Sequence, residues 1–201
     1  MRSRVIVASF AVVLALSACA TTAPAPDVDP TPTPVATTSI PIPAGAIPAD
    51  CENVVDAARY DSTFGTTPLN DPALGYSERL GMLTPTTPAA GATIKEVVDA
   101  GTQLRCVWRD PAADVTYLQV QIGSAAAGVG DEYLTSLELD GYTCDETLDG
   151  KRCSLTSTDP QYPVEIGDTA FVRNDIVIRI DQANFPTDDL LGAVVSTVWP
   201  G

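Results

Sequence analysis

The chain has 201 residues, 11 basic and 26 acidic side chains, no histidine and a formal charge of −15. That balance excludes nucleic acid and anionic lipid headgroups as partners held by charge, because both need a basic face. The missing histidine excludes Ser-His-Asp and Cys-His catalysis and the common zinc sites.

Residues 1–18 read as a secretory signal peptide. Arg2 and Arg4 give a positive start, Val5 to Leu16 is apolar except for Ser9, and the small residues Ser17 and Ala18 precede Cys19. The apolar run is shorter than the about 20 residues a spanning helix needs. Leu16-Ser17-Ala18-Cys19 resembles the bacterial lipobox, which implies that Cys19 is diacylated (palmitate-type chains) and becomes the new N-terminus. Two acyl chains suffice for stable anchoring. Loss of Arg2 and Arg4 with the signal moves the formal charge from −15 to −17.

Residues 19–48 are expected to be a lipidated cysteine followed by a disordered spacer. Ala20 to Pro48 holds eight prolines, six threonines and six alanines. Proline lacks a donor and fixes φ, so an extended, partly polyproline II chain is expected, with a reach of up to about 90 Å.

The folded domain is expected over 49–201. Asp50 caps a first helix that carries Val54, Val55 and Ala58, with Cys51 in its first turn. From Asp61 to Ala92, glycines and prolines break every pattern. A stretch this long is either functional or hides short turns. Thr93 and Glu96 form a capping box for a helix that ends at Ala100, buries Ile94, Val97 and Val98, and stops at Gly101. Leu104, Cys106 and Trp108 alternate with Arg105 and Arg109, and Leu118, Val120 and Ile122 alternate with Tyr117, Gln119 and Gln121. Two half-buried strands of one hairpin follow from this period of two.

Asp131 to Leu139 reads as a helix with Tyr133, Leu134 and Leu137 inward and Gly141 as its stop. Tyr142 to Glu146 and Arg152 to Ser157 form a hairpin about Asp149-Gly150, and Ala170 to Arg173 and Ile176 to Ile180 form another about Asn174-Asp175. Thr187 caps a last helix, with Asp188 and Asp189 in its first turn and Leu190, Leu191, Val194, Val195 and Val198 as its apolar stripe. Sequential hairpins with helices between them imply an α+β domain: one antiparallel sheet of about six strands with helices packed on it.

Four cysteines remain after Cys19, and an extracytoplasmic compartment permits disulfides. Of the three connectivities, Cys51–Cys106 and Cys144–Cys153 suit the elements best. The second joins neighbouring strands of one hairpin. The first ties the opening helix to the first strand across the irregular stretch. No Cys-x-x-Cys pair supports a metal site, and no cofactor is implied.

A lipobox, a Pro/Thr spacer, a cysteine at the start of the first helix, the strand Cys106-Val107-Trp108 and a terminal strand-then-helix together resemble actinobacterial envelope lipoproteins of the DUF3558 group. Their folds are similar to the extracellular sensor domain of a mycobacterial serine/threonine kinase. The resemblance implies a ligand-binding cleft, assigns no functional residue, and is compatible with Cys144–Cys153 as a second disulfide.

Carboxylates are the only plausible catalysts. Glycoside hydrolysis needs two of them facing each other about 5 to 9.5 Å apart. Asp131/Glu132, Asp145/Glu146 and Asp188/Asp189 read instead as helix starts and solvated turns. Asp145 to Gly150 echoes the first half of a calcium loop, but Thr156 stands where a bidentate glutamate is needed. Arg105, Arg109, Arg152, Arg173 and Arg179 all fall on strands, where they either bind an acidic ligand together or pair with neighbouring carboxylates.

The function expected is that of a non-enzymatic lipoprotein, anchored to the cell membrane through its N-terminal lipid and facing the extracytoplasmic side. Its partner is an envelope protein or a small molecule, and not nucleic acid. The alternatives are a carboxylate-dependent hydrolase of wall glycans and a structural surface protein without a ligand. A concave site between 61–92 and the sheet favours binding, two facing carboxylates in a cleft favour the hydrolase, and a filled sheet favours the third.

Overall fold

The computed structural model describes residues 44–75 and 77–201. The signal peptide expected at 1–18, Cys19 and the spacer as far as residue 43 lie outside the described residues. Seven strands make one antiparallel sheet: β1 (Gly81–Met82), β2 (Thr102–Trp108), β3 (Tyr117–Ser124), β4 (Thr143–Thr147), β5 (Gly150–Thr158), β6 (Glu165–Arg173) and β7 (Ile176–Ala183). Their order is β1-β2-β3-β7-β6-β5-β4. Four α-helices pack on the sheet: α1 (Ala57–Phe64), α2 (Ile94–Ala100), α3 (Val129–Leu139) and α4 (Leu190–Val198). The domain is therefore α+β, with the extra strand β1 coming from the irregular stretch.

All three expected hairpins form, β2–β3, β4–β5 and β6–β7. The long-range pairing of β3 with β7, from Tyr117↔Ala183 to Ser124↔Ile176, welds them into one sheet. Asn174 takes positive φ at the β6–β7 turn, as expected. In the β4–β5 turn the positive-φ pair is Leu148 and Asp149, one residue earlier than Asp149-Gly150. Gly150 begins β5 instead, because a Cβ there would lie 2.5 Å from the Val172 carbonyl oxygen.

Both disulfides pair as expected, Cys51–Cys106 and Cys144–Cys153, with Cα–Cα distances of 5.5 and 4.0 Å. Strand alternation gives the sheet two different faces. One face carries Leu104, Cys106, Trp108, Leu118, Val120, Ile122, Phe171 and Ile178, all fully buried beneath α1 and α4. Phe64 of α1 stacks on Trp108 with ring centroids 4.0 Å apart, and the Trp108 indole N–H donates to the Tyr60 hydroxyl at 3.2 Å. The α4 side chains Leu190, Leu191, Val194, Val195 and Val198 lie against the same core. Each such buried aliphatic side chain contributes about 1.5–3 kcal/mol.

Two helix boundaries differ from the sequence expectation. Asp50 caps a one-turn 3-10 helix, Cys51–Asn53, and α1 begins only after a second cap, in which Asp56 accepts from the Arg59 amide at 3.0 Å. Two short aspartate caps outcompete one long helix because Val54 and Val55 must turn into the core. Thr187 does not cap α4. Its hydroxyl donates to Gln182 Oε1 at 2.7 Å, and Asp189, with φ 46°, occupies the cap position without a side-chain hydrogen bond. The capping box of Thr93 and Glu96 is present and α2 stops at Gly101, both as expected, with Gly101 at φ −83°. Glycine is needed there because a Cβ would strike the Ser124 carbonyl of β3.

The stretch from 61 to 92 seals the β2 edge. Arg109 donates its amide to Pro68 O, Asn70 exchanges hydrogen bonds with Val107 at 2.8 and 2.9 Å, and Gly81 and Met82 pair with Arg105 and Leu104. An unpaired edge would invite pairing with another chain. The five spacer residues that are described, 44–48, also lie on the domain rather than free. Ala46 donates to Val198 O at 2.8 Å and Pro48 is buried. No helix among the described residues is long and apolar enough to cross a membrane.

Candidate functional site

The second face of the sheet is only half covered. α2 and α3 set Val98, Tyr133, Leu134 and Leu137 over Val172, Val177, Ala170 and Cys153. Beyond that contact the same face becomes polar. One rung reads Arg105, Gln121, Arg179, and the next reads Gln119, Asp181, Asp168. These positions alternate with core residues along β2, β3, β7 and β6, so their side chains share one face.

Gln121 is the node of the first rung. Arg105 donates to its Oε1 through Nε and Nη2 at 3.3 and 2.9 Å, and Arg179 Nη2 donates to the same oxygen. Arg179 is 6% exposed, so its charge requires partners. It has Asp99 of α2 as an ion pair, and Asp99 also holds Lys95 at 3.0 Å. Burial alone would raise Asp99, but Arg179 and Lys95 outweigh it and hold the carboxyl below its ordinary range. Arg105, half-buried, has no carboxylate within 4.0 Å among the described residues. Burial and the neighbouring Arg179 both disfavour its charge.

The second rung is acidic. Asp181 accepts from Gln119 Nε2 at 2.7 Å and from Gln121 Nε2 at 3.3 Å. Asp168 stands directly opposite it on β6. Burial and the neighbouring Asp181 carboxyl push Asp168 above the ordinary aspartate value. The groups facing this pair are Tyr142 after α3, Tyr117 on β3, Arg109 at the end of β2 and Arg179 on β7. The Tyr142 hydroxyl is 3.5 Å from Asp168, and burial together with Asp168 pushes it up to about 12. Burial, then Asp181, also raises Tyr117. Neither aspartate meets a lysine or arginine within 4.0 Å among the described residues.

Both rungs line one hollow of about 470 Å³, roofed at one side by Tyr133, Leu137 and Tyr142. An adjoining hollow of about 410 Å³ continues past Asp168 and Asp181 to Tyr117 and Arg109. The two together form a polar trough with a cationic end and an acidic end. Among the described residues, no group of three or more His, Cys, Asp or Glu side chains could hold a metal ion.

The five strand arginines divide between the faces. Arg105, Arg109 and Arg179 stand on the trough side. Arg109, however, donates to the carbonyls of Ala113 and Asp114 at 3.1 and 3.3 Å, bracing its own turn. Arg152 and Arg173 stand on the other face. Arg152 pairs bidentately with Asp145 at 2.9 Å, and Arg173 lies 3.6 Å from Asp149 and 5.0 Å from the centre of the Trp199 ring. Asp131 and Glu132 lie in the first turn of α3, as expected, and Asp145 and Glu146 lie on β4. The hollows of the trough are lined by no described residue of 61–92; they lie between the sheet and α2–α3, and not where a concave site against that stretch would have favoured binding.

Sequence reasoning missed Asp168, Asp181, Gln121 and Asp99. It began the sixth strand at Ala170 and ended the seventh at Ile180, just short of both aspartates. The turn at Asn174-Asp175 held the signal: counting outward from it places Asp168 opposite Asp181.

No protein-family model, no curated protein and no solved structure matches the chain.

Proposed function

We propose that this chain is a lipid-anchored envelope lipoprotein of the actinobacterial DUF3558-like kind, displayed on the extracytoplasmic side of the membrane, whose domain binds a ligand without transforming it. Cys19 carries the anchor and residues 20–43 the tether. The observation behind the binding role is the trough: a roughly 470 Å³ hollow whose charged walls, Arg105 on one side and Asp168 with Asp181 on the other, make no ion pair within 4.0 Å among the described residues. Ligand hollows generally run about 300–1,000 Å³ and place a few polar groups for orientation. A purely structural sheet face would pair or exclude such charges, since an uncompensated half-buried charge costs stability.

The pair Asp168 and Asp181 also bears on the hydrolase alternative. The two stand directly opposite each other on neighbouring strands in one hollow, with Asp168 raised by burial and by Asp181, so that alternative keeps a carboxylate pair to be tested.

Two experiments test the reading. Cys19→Ala should move the protein out of the membrane fraction, and its persistence there refutes the anchor. Small molecules extracted from the envelope should raise the melting temperature of the full-length parent chain and leave that of Gln121→Met unchanged. An equal response from both places the ligand elsewhere. Release of reducing ends from wall glycans by the parent, abolished in Asp181→Asn, would establish the hydrolase instead.

A further inference from the structure

The trough carries one feature that ordinary ion pairing does not explain. Arg105 and the two acids Asp168 and Asp181 share a hollow and form no ion pair within 4.0 Å among the described residues. Arg105 spends two donors on the neutral oxygen of Gln121, while Asp181 accepts from two neutral amides. Gln121 separates the two charges chemically, its oxygen toward the arginines and its nitrogen toward Asp181. Three of the other strand arginines do find carboxylates: Arg152 takes Asp145 and Arg173 lies near Asp149 on the far face, and Arg179 takes Asp99 within the trough itself. Arg105, by contrast, is held from the acids beside it by Gln121.

Resting on the binding role proposed above, we infer that the ligand of this trough is a small zwitterion of amino-acid or dipeptide size, its carboxylate on Arg105 and its ammonium between Asp168 and Asp181. Arg105 suits the carboxylate because a guanidinium presents parallel donors to it. The acid pair suits an ammonium because three donors can be shared by two carboxyls and the Tyr142 hydroxyl.

The span sets the length. Arg105 and Asp181 are two strands and two residues apart, about 12 Å between Cα positions from ordinary strand spacing and rise. Through Gln121 the charged atoms come closer: Arg105 Nη2 and Asp181 Oδ2 are at most about 8 Å apart, because only hydrogen bonds of 2.9 and 3.3 Å and the width of one amide lie between them. With a hydrogen bond of about 2.8 Å at each end, the ligand's ammonium and carboxylate need lie only a few ångström apart, as they do in an amino acid or a dipeptide. Tyr133, Leu137 and Tyr142 line the middle and would pack against small apolar side chains.

The test is calorimetry with the full-length chain in detergent, both disulfides intact, against dialanine, N-acetyl-dialanine, dialanine amide, putrescine and succinate. Dialanine should bind, and blocking either end should weaken it about tenfold or more. Arg105→Gln should erase the preference for a free carboxylate but keep the preference for a free amine. Asp181→Asn should do the reverse. Blocked peptides binding as well as the free one, or no dialanine binding at about 10 mM, overturn the assignment. Putrescine or succinate binding that Gln121→Met abolishes, with no dialanine binding, refutes the zwitterion and leaves the trough as a ligand site. No response to any of the five probes, together with no response to envelope extract, overturns the binding role as well.

Discussion

Replacing Gln121 by methionine removes the amide at the centre of the trough and keeps the shape of the side chain. Four hydrogen bonds to three charged groups disappear together: two from Arg105, one from Arg179 and one to Asp181. Such bonds contribute about 1.5–3 kcal/mol each when the charged partner stays buried. The losses are unequal. Arg105 is half-exposed and recovers water, and Asp181 keeps Gln119. Arg179 keeps Asp99, but its side chain is only 7% exposed and its other donors face a thioether. The total therefore comes to about 3 kcal/mol. For a domain of this size that is a fall of about 6–12 °C in melting temperature. Gln119→Met is the matched control. It removes one bond on a half-exposed rung and should cost about 1 kcal/mol or less. Urea unfolding of both variants, disulfides intact, measures the difference. A Gln121→Met variant within about 0.5 kcal/mol of the parent would show that the convergence of two guanidiniums on one oxygen carries no stability.

Three further outcomes follow from the same geometry. Asp168, held high by burial and Asp181, contributes stability that is complete below the unfolded aspartate pKa and is lost as pH rises through its raised folded value. Asp168→Asn should therefore be more stable than the parent at pH 7 with a flatter pH profile; a profile parallel to the parent's contradicts the shift. Removing Cys51–Cys106, which spans 55 residues, should cost about 4 kcal/mol, against about 2.6 kcal/mol for Cys144–Cys153, which spans 9. The reverse order in denaturant unfolding of the paired alanine variants would reject the loop-closure account. Phe64→Ala empties the stack on Trp108 and should cost about 3–5 kcal/mol, and a loss under about 1 kcal/mol would mean that α1 is not part of the cooperative core.

Local chemistry was legible wherever one short-range effect dominates. The alternation of Leu104, Cys106 and Trp108 reads directly as a half-buried strand, and Thr93 with Glu96 reads directly as a cap. The disulfide partners followed from those elements, because Cys144 and Cys153 face each other across one hairpin. The ends of the elements were less legible. Gly167, Asp168 and Asp181 are poor strand formers, and they extend β6 and β7 only because each has a paired neighbour on both sides. Thr187 looked like a cap by residue type, yet Gln182 takes its hydroxyl.

By itself, then, the sequence determined the α+β class, the hairpins, the cysteine pairing and a chemistry without histidine. These depend on periodicity and on residues close along the chain. Only the tertiary structure decided that β3 pairs with β7, since nothing local distinguishes which hairpin edge meets which. That one pairing sets Gln119 and Gln121 beside Asp181 and Arg179, from residues about 60 positions apart. The trough is therefore a product of register between distant strands, and α2 and α3 leave it open because their apolar faces end at Leu137 and Val98.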